Sequence, residues 1–580
     1  MSRTSATDPL VTLSDTFWAT RLEQLRTHGL SVLGERLERH GVMAAWSRLG
    51  SSPAERPERR GLWFTDSDLF KWMEACWRAG RSDLAEIHAA NVLSHQQPDG
   101  YLNSYYGVAG GPERYSDLAN SHEWYCGGHF IEAAIAHAEM TGNSHLVEAA
   151  CRYADHLCDT FGPGRDERID AHPEIELAMA RLARHTGNDR YLQFARWVIE
   201  STIDLDHPVL AGHAVRAIYL ASGVAEVALA GDDPRYRAAA GSLFNQMVRR
   251  HSYPTGAVGG RWLGEAVGRP YELSDESSYS ESCAAVAALQ FSQRMWELTR
   301  APECLDHLEV VLYNAVAGGV GADGESWFYS QPHACSTDAE ANPWASPLDF
   351  QASVLLEWFP PHRHTWFDVT CCPTNLARAF AGVTMSVAEV AADGSLLIHL
   401  PIACRIETDH WDVEIRGQYP WAGNIEVVVH RSPVAGRTAM RVPSWADGKG
   451  HRDITATHSL HLDINAEWWE ADPRVTGARG ASFIRRGPIV YCVEVAADAG
   501  FDLRSIVVDA SRRFDERDAP MLAGGVTVVG VWGSTLSVDG PLYRRRGDGG
   551  LPTGQVELTA VPYAARSNRG LQQMTILMRH

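Results

Sequence analysis

One turn recurs through the first half of the chain, and it dictates what that half can fold into. The stretch TGNSHLVEAACRYADHL begins at Thr141, TGNDRYLQFARWVIE at Thr186 and AGDDPRYRAAAGSLF at Ala230, so the starts lie 45 and 44 residues apart. A period of that length holds two helices and two loops. Each copy carries Gly-Asn or Gly-Asp where one helix must stop and the next be capped. Glycine accepts the left-handed conformation of a helix end, and Asn or Asp accepts a free N–H at a helix start. Between the turns, apolar residues recur at helical spacing, as in GHFIEAAIAHAEM and ARWVIESTI. Stacked helical hairpins follow. They can remain an open solenoid or close into an (α/α) toroid, and periodicity alone does not choose.

The pattern changes character once. After Leu396, short alternating runs such as DVEIRGQY and NIEVVVH take over. The reading is therefore a mainly α domain over residues 1–390 and an all-β region over 391–580. A chain of 580 residues is too long for one hydrophobic core, and the all-β region can itself divide into two small β domains. With 72 acidic against 52 basic residues the net charge is -20, which opposes any polyanionic partner, so nucleic acid and anionic membrane are excluded as partners. The first residues lack the basic start and apolar block of a signal peptide. No uninterrupted apolar run reaches about 18 residues, and the chain reads as cytoplasmic.

Eleven scattered cysteines, an odd number in a large acidic protein, fit reduced thiols better than a disulfide framework. Two of them are adjacent, in DVTCCPTNLAR. Pro373 suits the first position of a helix, and Leu376, Phe380 and Val383 continue an apolar stripe. Cys371 and Cys372 then stand at a helix N-terminus, where the dipole favours thiolates. SSYSESCAAVAALQFSQRMWEL has the same construction, with Glu281 and Cys283 just before or within the first turn of a helix. Three thiolates and one carboxylate form a four-ligand set that zinc accepts. Read alone, these cysteines are equally the buried small hydrophobes that cysteine often is.

These stretches, GEAVG, ESCAAV and TCCPTNLAR, taken with SHEWYCGGHFIEAA, HPEIELAMARL and GHAVRAIYL, resemble glycoside hydrolase family 127, the β-L-arabinofuranosidase family. The resemblance runs from FTDSDLFKWMEA at Phe64 to RRGPIVYCVE near Glu494. It implies an (α/α)6 barrel followed by β-sandwich domains, and a retaining, exo-acting hydrolase for arabinose-containing oligosaccharides or glycoconjugates. It also implies Zn2+ held by Glu281, Cys283, Cys371 and Cys372, with Cys371 as nucleophile and Glu265 as general acid/base. His122, His172 and His213 are implied as sugar-binding residues, with Tyr329 beside the nucleophile, and the assembly as a homodimer. Absent the resemblance, Glu265 would read as a solvated surface carboxylate and each histidine as a cap or a core residue; His129, seven residues after His122 on the same helical face, reads as a further candidate for the sugar or as a structural residue.

Departures from the family's pattern bear on substrate more than on chemistry. Trp124 stands where the family has leucine and is expected to alter the pocket wall. Residues 330–369, which include His333, Cys335, His362 and His364, form a long irregular link that reads as a lid or a dimer contact. Trp421, Trp468 and Trp469 read as core residues, with a sugar-stacking platform as the alternative.

Overall fold

The computed structural model describes residues 9–580 apart from positions 53, 276–277, 336–362, 434–435, 455–456, 497, 520–524, 538–542, 544, 546–551 and 570–571. The helical part consists of α1 (Leu30–Arg39), α2 (Asp66–Arg78), α3 (Ser82–Ser94), α4 (Glu123–Thr141), α5 (His145–Thr160) and α6 (Ile175–Thr186). It continues with α7 (Asp189–Thr202), α8 (Ala214–Gly231), α9 (Pro234–Gln246), α10 (Ser282–Thr299), α11 (Pro302–Val311) and α12 (Cys371–Ala381). The recurring turns close α4, α6 and α8. Gly142, Gly187 and Asp232 all take the left-handed conformation there, at φ 72°, 73° and 45°. Asn188 and Asp233 then accept the first free N–H groups of α7 and α9.

The hairpins close into a toroid. Helices α2, α4, α6, α8, α10 and α12 pack in that order, and α12 returns to pack on α2. The other six, α3, α5, α7, α9, α11 and α1, form the outer layer, giving an (α/α)6 barrel. Inner helices are buried nearly all round, as α4 is from Glu123 to His137. Outer helices such as α5 bury one stripe. Close packing of the layers has a sequence cause at Gly127, where a Cβ would stand 2.1 Å from the Tyr153 hydroxyl of α5.

Because each inner helix is followed by an outer return, all six inner helices run the same way and their N-termini share one rim. This rim carries the site described below. Helix α12 starts two residues earlier than expected, at Cys371, and Pro373 occupies its third position. Proline is tolerated there because the first four helical N–H groups have no partner within the helix.

After the barrel come a five-stranded sheet, a four-stranded sheet and, from Ala466 onward, a ten-stranded one. Two of these sheets include strands from earlier in the chain. Leu10–Leu13 pairs antiparallel with Cys404–Glu407, and Ala334–Cys335 with the strand Gln572–Thr575. Trp421 packs edge-on against Phe17, Trp468 tilts on Phe514, and Trp469 lies under Arg485. They form no shared stacking platform.

The barrel is tied to the β region by a buried polar cluster. Glu309 of α11 accepts from Arg441 at 2.8 Å, from Trp445 at 3.3 Å and from the Tyr419 hydroxyl, and neither charged side chain reaches solvent. Replacing Arg441 by Ala leaves the carboxylate buried without its cation. The expected cost is about 3–5 kcal/mol, read as a lowered thermal midpoint in calorimetry.

Candidate functional site

The N-terminal rim of the inner helices gathers the chemistry. His122 immediately precedes α4, His172 stands three residues before α6, and His213 caps α8. Glu281 caps α10, and Cys371 and Cys372 open α12. Helix dipoles pointing at one space favour anions there. His122, Glu265 and Ser280 hold positive φ values of 56°, 50° and 44°, a conformation that residues with a Cβ adopt at a cost and that concentrates at functional sites.

Glu281, Cys283, Cys371 and Cys372 present ligand atoms that all lie within 4.8 Å of one another. The Cys283 and Cys372 sulfurs are 3.4 Å apart, and those of Cys371 and Cys372 are 4.0 Å apart. Glu281 Oε1 lies 3.5 Å from the Cys372 sulfur and 3.8 Å from that of Cys371. Four ligands at ordinary zinc distances, about 2.3 Å for sulfur and about 2.0 Å for oxygen, define a tetrahedron with edges of about 3.5–3.8 Å. The four residues fit that ion. The extended backbone at Glu281, φ -61° and ψ 139°, lets Glu281 and Cys283 face one point although they are two apart.

Electrostatics supports the same fit. Burial pushes Glu281 far up, and the nearby Cys371 adds to it. Burial would raise Cys283 as well, but hydrogen bonds from its two neighbouring thiols outweigh that and bring it to about 6. The ionised Cys283 in turn pushes Cys371 up to about 12. On protein charges alone the cluster ionises one thiol and resists the rest; a divalent cation removes that resistance.

Glu265 sits beside the cluster. His213 Nδ1 accepts from the N–H groups of Val215 and Arg216 at 3.2 and 3.5 Å, so its proton resides on Nε2, which is 2.7 Å from Glu265 Oε2. The Tyr279 hydroxyl donates to Glu265 Oε1 at 2.6 Å and lies 3.3 Å from Glu281 Oε2. Burial would raise the Glu265 carboxyl, but these two donors hold it below its ordinary range. A continuous polar chain thus runs from Glu265 through Tyr279 and Glu281 to Cys371. Tyr329, the remaining expected residue, places its hydroxyl 3.2 Å from the Cys371 sulfur.

The three rim histidines form a row, with ring centroids 5.1 Å apart for His122 and His172 and 6.1 Å for His172 and His213. His122 Nδ1 is 2.7 Å from the Asn120 carbonyl and His172 Nδ1 is 2.9 Å from that of Pro173. A carbonyl only accepts, so both rings carry their proton on Nδ1 and keep Nε2 as an acceptor. Burial pushes His122 down to about 4 and His172 well below the ordinary histidine range, so both are neutral at neutral pH. His129 lies deeper, buried 3.2 Å from Glu174, in a structural position.

The expectation that Trp124 alters the pocket wall is not met. Its ring is buried against Phe161 and Phe194 of the outer layer. Residues two apart at a helix start diverge, so Trp124 faces away from the row that begins with His122. The expected lid at residues 330–369 falls mostly outside the described residues. Of its described members, His333 is buried, 2.7 Å from Thr255 Oγ1 and stacked on Tyr253.

Two residues of the site escaped the sequence reading. Tyr279 shows only as an aromatic two residues before Glu281. Lys71 of α2 is a fully buried cation that donates to the Tyr125 hydroxyl at 2.7 Å and lowers the thiols of Cys283 and Cys371. A lysine between Phe70 and Trp72 in FKWMEACW was its only signal.

Residues 10–385 match the family model of the β-L-arabinofuranosidase GH127 catalytic domain, and residues 466–579 that of the glycoside hydrolase family 127 C-terminal domain. The chain belongs to glycoside hydrolase family 127. It is 30% identical to the non-reducing end β-L-arabinofuranosidase of Bifidobacterium longum subsp. longum, with 90% of each chain covered. The crystal structure of a GH127 β-L-arabinofuranosidase from Geobacillus stearothermophilus T6 superposes with a TM-score of 0.87 at 27% identity, covering 98% of this chain and 100% of that one. A second GH127 β-arabinofuranosidase superposes with a TM-score of 0.85 at 26% identity, covering 99% and 98%. This family member is a glycoside hydrolase, and its (α/α)6 barrel with β domains is the fold of those neighbours.

Proposed function

We propose that this glycosidase removes terminal, non-reducing β-L-arabinofuranosyl residues from arabinose-containing oligosaccharides or glycoconjugates, with retention of configuration. The observation that carries the reading is the placement of one partly exposed thiol, Cys371, at the end of a polar chain that begins at Glu265.

In the first step the Cys371 sulfur donates an electron pair to the anomeric carbon. The bond from that carbon to the leaving oxygen breaks, and Glu265, which His213 and Tyr279 hold ionised in the free protein and which must therefore take up a proton before this step, gives that proton to the leaving oxygen. In the second step the Glu265 carboxylate takes a proton from water, whose oxygen bonds to the anomeric carbon as the carbon–sulfur bond breaks. His213 and Tyr279 stabilise the carboxylate that this step requires. The Tyr329 hydroxyl is placed to donate to the sulfur whenever it is anionic. His122 and His172 offer acceptors to furanose hydroxyls, and His213, whose Nε2 proton goes to Glu265, ends the row beside that carboxylate. Zinc bound by Glu281, Cys283, Cys371 and Cys372 would supply the positive charge that keeps the sulfurs deprotonated at neutral pH. All eleven cysteines are free, which supports work in a reducing compartment such as the cytoplasm.

Stripping the metal with a chelator is expected to abolish release of nitrophenol from an aryl β-L-arabinofuranoside, and stoichiometric zinc to restore it. Full turnover by a preparation shown to be metal-free would end the thiolate mechanism. Slow turnover of this glycoside beside rapid turnover of another aryl furanoside would reassign the sugar and leave the mechanism standing.

A further inference from the structure

At the far end of α4 from His122, three helices bring together a second cluster of metal-binding side chains. His137 stands 15 residues after His122, which at 1.5 Å per residue is about 22 Å along the helix. There Glu86 of α3, His137 of α4 and His145, the first residue of α5, offer ligand atoms that all lie within 4.8 Å of one another.

The hydrogen bonding around His137 leaves an acceptor facing an acceptor. His137 Nδ1 is 3.1 Å from the Asn143 carbonyl, which fixes the proton on Nδ1 and leaves a lone pair on Nε2. Opposite Nε2, at 3.4 Å, stands Glu86 Oε1. Thr141 Oγ1 is 3.5 Å from Nε2, but its proton goes to the His137 carbonyl at 2.7 Å. A cation between them, or a proton on either partner, reconciles the two lone pairs. The His137 side chain is 2% exposed, so burial opposes a second proton on its ring.

His145 supplies an independent sign. Its Nδ1 is buried with no hydrogen-bond partner among the described residues, and its ring stands 4.8 Å from that of His137 at 86°. Neighbouring groups hold the His137 and Glu86 side chains in place, as groups around metal ligands do, although on Glu86 the donor acts on the oxygen that faces His137. The Asn143 carbonyl holds His137 Nδ1, and Trp77 Nε1 donates to Glu86 Oε1 at 2.9 Å. The 3.4 Å separation of nitrogen and oxygen is the edge of about 3.3–3.4 Å expected for tetrahedral ligands at about 2.0–2.1 Å.

We propose that Glu86, His137 and His145 form a second site for a divalent transition ion such as Zn2+, distinct from the thiolate cluster and on the opposite rim of the barrel. Glu86 is 45% exposed, so the fourth position faces solvent and the ion exchanges freely. Bound there, it joins α3 to the turn between α4 and α5 and stabilises the fold by mass action.

The test is calorimetric titration of ZnCl2 into the full-length protein, its resident metal first quantified, for wild type, Glu86→Gln and His145→Ala. Both substitutions are at positions with solvent access, away from the catalytic rim. Wild type should take up one further saturable equivalent and gain thermal stability with zinc. Both variants should bind that equivalent at least about tenfold more weakly, lose the thermal response and keep wild-type turnover. Absence of a further equivalent in wild type, or its persistence at wild-type affinity in either variant, would overturn the assignment.

Discussion

Cys371→Ser is expected to lower turnover of an aryl β-L-arabinofuranoside by at least about 10⁴-fold, the scale on which a preorganised site loses its nucleophile, while the protein still binds zinc. Serine is close in volume and acceptable in the first turn of α12, so the fold has no reason to respond. Its hydroxyl stays protonated at neutral pH, and the electron pair that attacks carbon is lost. Three donors remain, Glu281, Cys283 and Cys372, and three protein ligands suffice to hold the ion. The measurement is turnover together with zinc content on the same sample.

Cys372→Ser separates the two adjacent thiols. Cys372 is fully buried, 3.4 Å from Cys283, with no open face toward a substrate, whereas Cys371 is partly exposed beside Tyr329. The Cys372 variant should lose metal affinity first and activity as a consequence. A Cys372 variant that keeps its zinc and loses all turnover, beside an active Cys371 variant, would move the nucleophile by one residue.

That the pair could be recognised at all follows from local chemistry. Adjacent cysteines running into Pro373 and an apolar stripe can be read as a helix start without any tertiary information, and so can Glu281 and Cys283. The hairpin turns were equally legible, because a left-handed helix end needs Gly142 or Gly187, or at Asp232 a residue that tolerates it. Closure of the barrel was not legible. It depends on α12 packing on α2, about 300 residues earlier, and no periodicity encodes a contact of that separation; the family resemblance supplied it. The strand Leu10–Leu13 is the same case, since its partner Cys404–Glu407 lies in the β region.

The site shows the same division. Residues at helix starts carry a sequence signal, while Tyr279 and Lys71 act through what folding brings beside them. Tyr279 matters because Glu265 and Glu281 lie on either side of its hydroxyl. The role of His213 was implied by resemblance, but its tautomer follows only from the structure, where capping α8 with Nδ1 turns the Nε2 proton toward Glu265.

Glu265→Gln should divide the two chemical steps. Glutamine keeps the size of the side chain; its single carbonyl oxygen can accept from His213 and its amide N–H can donate to the Tyr279 hydroxyl oxygen, but it neither gives nor takes a proton. Loss of general acid/base assistance is expected to cost about 10²–10⁴-fold, with zinc content unchanged. A nitrophenolate leaving group needs little protonation, so on the aryl glycoside the first step should survive and the second, which must deprotonate water, should stall. The expected record is a burst of one equivalent of nitrophenol, followed by slow release, with a pentosyl adduct on Cys371 in the intact mass. Azide attacks the anomeric carbon without needing a base, so it should restore turnover and yield the glycosyl azide of retained configuration. An alkyl arabinoside, whose leaving group does need the proton, should show no burst and no azide response. Unchanged turnover would remove Glu265 from the reaction. A uniform loss on both substrates, with neither adduct nor azide rescue, would mean that the carboxylate holds His213 and Tyr279 in place and that another group moves the proton.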